Sequence, residues 1–142
     1  MTAVVDARTI REAQLAELSD YAHVLHRVDF SKVDYDGTPD CEPVDDLDDA
    51  NGISSEIAEG VLAGWHTVAI DLDVHAQLVP STTPGHSHLY IDKAMTWANY
   101  LKLLHVLAEV GVLEPGYVGA SERRGHTTLR LPWIAKETPA SE

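Results

Sequence analysis

Residues 68–92 read VAIDLDVHAQLVPSTTPGHSHLYID, three aspartates and three histidines set into an otherwise apolar stretch. From Thr67 to His75 the pattern alternates. Val68, Ile70, Leu72 and Val74 fall on one side of an extended chain, and Ala69, Asp71, Asp73 and His75 on the other. Pro80, Pro84 and Gly85 mark a connection, after which residues 86–92 alternate again. The spacing predicts two strands, with Leu89 and Ile91 facing inward on the second and His86, His88, Tyr90 and Asp92 on its other face. Aspartate is a poor strand former. Two at alternate positions in so apolar a segment therefore ask for a cation or a base to offset their repulsion.

C-terminal to this stretch, Thr96 is positioned to cap a helix carrying Trp97, Leu101, Leu104 and Leu107 on one stripe, stopped by Gly111. A loop, EPGYVGASERRG, leads to a last strand within HTTLRLPW, with Thr127, Leu129 and Leu131 inward and His126, Thr128 and Arg130 on the opposite face. Toward the N-terminus, Thr9 and Glu12 stand at capping-box spacing ahead of Ile10, Leu15, Leu18, Ala22 and Leu25, which predicts a helix over about 9–27. DFSKVDYDGTPDCEPVDDLDDANG, with eight aspartates, reads as an acidic loop. A short helix is expected from Ser54 or Ser55 through EIAEGVLA, with Gly64 near its end.

These elements predict one α+β domain over residues 1–142, a mainly antiparallel sheet with helices covering one face. Residues 1–33 hold the first helix, 34–53 the acidic loop, 54–136 the core, and 137–142 a frayed tail. The chain has 142 residues, enough for one core. It shows no long apolar run and no basic-then-apolar leader pattern, so a cytoplasmic protein without membrane contact is expected. Cys41 is the single cysteine, which excludes an internal disulfide and thiolate zinc cages.

Residues 1–60 carry 15 acids against 4 bases, and residues 61–142 carry 8 against 6. A whole-chain charge of −13 argues against a broad duplex-binding surface, which needs a basic footprint. The near-neutral C-terminal part, with Arg123, Arg124, Arg130 and Lys136, leaves room for a small phosphate site.

VAIDLD followed by STTPGHSHLYID resembles the first two motifs of the archaeo-eukaryotic primase superfamily, the primase-polymerases of many phages and plasmids. LRLPWIAK is similar to the Arg-x-Pro segment that often follows in them. The resemblance covers residues 67–136 and implies an RRM-like, primase-polymerase-like sheet and a nucleotidyltransferase of DNA replication. It implies that Asp71 and Asp73, as catalytic residues with Asp92, bind Mg2+ or Mn2+. Catalytic His88, with Ser87, Arg130 and Lys136, would then hold the phosphates of a nucleoside triphosphate. The family's third acid is absent, since no aspartate follows Asp92, and Asp92 or Glu122 stands as its substitute.

Two other readings remain open. HSH at residues 86–88 and HTT at residues 126–128 resemble the paired His-x-Thr/Ser signatures of 2H phosphoesterases, which would make His86, His88, His126 and Thr128 a metal-independent acid–base site. A non-enzymatic acidic module, using Asp45 to Asp49 to mimic nucleic acid or dock a basic protein partner, fits the charge asymmetry. Under the primase-like reading the partner is single-stranded nucleic acid.

Overall fold

The computed structural model describes residues 5–32 and 41–135, which form α+β structure with small antiparallel sheets. The chain divides into two compact units, residues 1–71 and 72–142.

The first unit opens with α1, Ala7–Leu18. Asp6 caps it, its carboxylate accepting from the Thr9 N–H at 2.8 Å and from the Thr9 hydroxyl at 3.0 Å. That backbone bond above all holds the Asp6 carboxyl below the ordinary aspartate range, because the charged form is the better acceptor. The expected helix over 9–27 is cut short. Ser19 is already extended, its hydroxyl accepts from the Tyr21 N–H at 3.1 Å, and the chain re-emerges as strand β1, His23–Val28. Helical spacing at Ala22 and Leu25 misled here because a six-residue run with Val24 and Val28 satisfies its backbone better in a ladder.

β1 is central in a three-stranded sheet of order β2-β1-β3, with β2 at Cys41–Val44 and β3 at Gly52–Ile57. Pro43, which has no N–H to donate, is tolerated because β2 is an edge. The side chain of Asn51 clamps the sheet end, accepting from the Val28 N–H at 2.7 Å and donating to the Val28 carbonyl at 2.8 Å.

β3 replaces the short helix expected from Ser54 or Ser55. Ile57 is the buried apolar side chain among the described residues of this unit. The residues after it turn back through Gly60 and Gly64, both at φ +87°, a left-handed conformation that glycine adopts without a Cβ penalty. Gly64 thus closes a turn, its N–H bonded to the Ile57 carbonyl at 2.9 Å, and does not end a helix.

The acidic segment is more structured than a solvated loop at its described end. A 3-10 turn at Leu47–Asp49 follows β2, and Arg8 of α1 reaches Asp46 at 3.4 Å and Asp48 at 3.1 Å.

The second unit holds a hairpin, β4 at Ala76–Pro80 and β5 at Ser87–Ile91, followed by helices α2, Trp97–Glu109, and α3, Pro115–Arg124. Thr96 caps α2 as its sequence position indicates, accepting from the Asn99 N–H at 3.2 Å, and Gly111 follows at φ +86°. Helix α3 forms where a loop was expected. Pro115 at its first position lacks only an N–H that no helical carbonyl would receive. Gly125 ends it in the left-handed conformation, and Arg123 and Arg124 face the negative end of its dipole. Leu104 on α2 and Val118 on α3 are the buried apolar residues among the described residues of this unit, and His105 Nε2 and Glu122 Oε2 of the two helices lie 3.6 Å apart. No helix among the described residues is long and apolar enough to cross a membrane.

Candidate functional site

The two strands expected from the opening stretch have different fates. β5 forms almost where alternation puts it, but residues 67–75 are not a strand. His66 makes a single bridge to Glu56, and the Thr67 N–H bonds the Ser55 carbonyl at 3.0 Å; beyond that the chain runs without a ladder until Ala76. Val68 and Ile70, expected inward, are 72% and 69% exposed. Asp71 and Asp73 therefore have no ladder to hold them at alternate positions of one sheet face. They lie on either side of the division between the two units.

The β4–β5 register sets Val79 opposite His88 and Leu78 opposite Leu89. Cross-strand partners share a face. Val79 and His88 are half-buried, whereas Leu78 is 65% and Leu89 56% exposed. At this end of the hairpin the inward assignment is thus reversed, with His88 covered and Leu89 out, whereas at the other end Ile91, 40% exposed, and Tyr90, 44% exposed, are covered alike. Parity in sequence shows which residues share a face, but the segment packed against the hairpin decides which face is covered.

Around His88 a shallow hollow of about 170 Å³ of open space is lined by Pro80, Ser81, Thr82, Arg130, Leu131, Pro132 and Ile134 as well. The hairpin loop builds one wall. The Ser81 N–H bonds the His86 carbonyl at 2.9 Å, the Thr83 N–H bonds the Ser81 hydroxyl at 3.2 Å, and Gly85 takes φ +77°. Arg130 reaches into this loop, donating from Nη1 to the Thr82 hydroxyl at 2.7 Å and from Nη2 to the Thr83 hydroxyl at 3.3 Å. It makes no ion pair with any carboxylate of the described residues. A half-buried guanidinium neutralised only by hydroxyl dipoles keeps its charge available to an anion.

Residues 126–131, expected as a third strand, have no ladder. Side chains anchor them instead. Thr127 accepts from the Tyr100 hydroxyl at 2.7 Å and donates to the buried Ser121 hydroxyl at 2.9 Å, tying the segment to both helices three residues before Arg130. Burial raises the Tyr117 phenol above its usual range, while a hydrogen bond with Thr127 acts in the opposite direction. Thr127→Val conserves shape but leaves the Ser121 and Tyr100 hydroxyls without that partner. The expected cost is about 1–3 kcal/mol, read as a lower denaturant midpoint at unchanged m-value.

The remaining expected residues are not drawn together. Ser87 pairs with Pro80 at the hairpin end, exposed, and does not line the hollow. Asp92 follows β5, its N–H bonded to the His75 carbonyl at 2.8 Å. His86 is exposed in the loop, and His126 pairs through Nδ1 with its near neighbour Thr128 at 3.0 Å; none of His86, His126 and Thr128 lines the hollow beside His88. Lys136 lies outside the described residues. Among the described residues, no group of three or more histidine, cysteine, aspartate or glutamate side chains is placed to hold a metal ion.

The residues that sequence reading missed are Ser81, Thr82 and Thr83. Their signal was present as a run of three hydroxyls just ahead of Pro84 and Gly85, where a tight turn was expected. Comparison of the chain with protein-family models, with curated proteins and with solved structures returns no match.

Proposed function

We propose that the second unit binds the phosphates of a nucleoside triphosphate at the hollow lined by Arg130, Thr82 and His88, with Thr83 holding Arg130 from the loop, as a primase-polymerase-like protein of phage or plasmid DNA replication would. The observation that carries this reading is Arg130, half-buried, steered by two threonine hydroxyls and without a carboxylate partner among the described residues. The hollow is shallow and open to solvent, not an enclosed pocket of the kind that takes up a whole ligand. A phosphoryl group would sit at its mouth beside Arg130, with the sugar and base outside. Trp133, three residues after Arg130 and 74% exposed, offers a ring on which a base would stack. The same combination of cation and aromatic suits single-stranded nucleic acid.

No metal step is part of this reading, because the residues that line the hollow include no carboxylate. Titration calorimetry of the full chain with a nucleoside triphosphate, in chelator and then in added Mg2+, tests it. Binding that persists in chelator and exceeds that of inorganic phosphate supports the proposal. Binding to neither ligand, or binding that vanishes in chelator, would overturn it, the latter outcome favouring metal held by Asp71 and Asp73.

A further inference from the structure

Helix α2 is apolar on more of its circumference than α3 covers. Tyr100, Leu101, Leu104, Leu107 and Ala108 are buried or half-buried, whereas Leu103, Val106 and Val110 form a second stripe at spacings of three and four that is 38%, 48% and 65% exposed. That spacing matches the a/d seam of a helix pair, with Val110 at the C-cap of α2.

The seam carries its own charge code. At 100° per residue Lys102 and Glu109 fall on the same flank of the stripe, away from α3. They are seven residues apart, about 10.5 Å along the axis, too far to pair with each other. Both are exposed, and neither has an ion-pair partner among the described residues.

We propose that this stripe is the contact face of a symmetric dimer, with α2 packed antiparallel against α2 of a second copy of the chain. A two-fold axis near Val106 reverses the ends of the helix and brings Lys102 toward the partner subunit's Glu109, and Glu109 toward the partner subunit's Lys102. Parallel pairing would set like charges at the same height. Burial of Leu103, Val106 and Val110 supplies the attraction. The exposed ion pairs, individually weak, select the direction.

Light scattering coupled to size exclusion, across protein concentrations, tests the proposal on the full chain. Wild type is expected as a dimer, K102E as a dimer weakened roughly tenfold, and the double exchange Lys102→Glu, Glu109→Lys as a dimer restored. Val106→Asp is expected to give monomer with helical circular dichroism retained. Because Lys102 and Glu109 are exposed, the charge exchange remains decisive if the Val106 variant fails to fold. A wild type that is monomeric throughout, as when residues of its own first unit or another protein cover the stripe, would overturn the proposal. So would a dimer indifferent to charge reversal.

Discussion

Replacement of Arg130 by alanine is expected to weaken nucleoside triphosphate binding by ~10- to ~150-fold, since hydrogen bonds between a guanidinium and an anion contribute about 1.5–3 kcal/mol and each 1.4 kcal/mol is tenfold. The fold should survive. Arg130 is half-buried and its loss frees two threonine hydroxyls at an open hollow where water can replace it. Arg130→Lys tests the geometry separately from the charge. A point charge on a flexible stem cannot hold Thr82 and Thr83 with a planar fork while contacting phosphate, so it should recover only part of the loss. Calorimetric titration of both variants checks this. Equal affinity in wild type and Arg130→Ala would remove Arg130 from the site.

Leu104→Ala is expected to cost about 2–5 kcal/mol, a large part of the 5–15 kcal/mol that ordinarily separates folded from unfolded. Leu104 is 5% exposed, and Val118 is the other buried apolar side chain of the same unit. So small a core has few neighbours able to fill the cavity. The consequence should be local, because Ile57, not Leu104, is the buried apolar residue of the first unit. Hydrogen exchange gives the measurement: amides of α2 and α3 should lose protection while those of β1 and β3 retain theirs. Equal loss in both units would show that they unfold as one.

The two predictions bear on different parts of the second unit, and the Tyr100–Thr127–Ser121 chain connects them. Thr127 holds the segment that carries Arg130 against α2 and α3. Damage to the helix pair should therefore also weaken binding, whereas loss of Arg130 should leave the helices intact. That asymmetry separates a binding residue from a structural one.

Where a local signal and its tertiary use agree, the chain was legible. Thr96 caps α2 and Gly111 follows its end, because a hydroxyl acceptor and a residue free to adopt positive φ act within one turn. The alternation of residues 87–91 became β5. His88 and Arg130 were named from the sequence, and both line the same hollow.

Legibility failed where a partner strand was the deciding term. Residues 67–75 alternate as a strand should, yet β-structure needs a second strand to satisfy its N–H and C=O groups, and between Thr67 and the His75 carbonyl no ladder partner occurs among the described residues. The reverse holds for residues 23–27 and 54–57, expected as helix, which lie in β1 and β3 because those strands pair with each other. Written along the chain are the Thr96 cap of α2, its stop at Gly111 and the parity of β5, whereas α1 is capped by Asp6 and not by the Thr9–Glu12 spacing. Packing between elements set which cross-strand pair of the hairpin is covered and brought two loop hydroxyls, those of Thr82 and Thr83, to Arg130. Those contacts join residues 47 and 48 positions apart, and their formation depends on packing between elements rather than on any preference written along either segment.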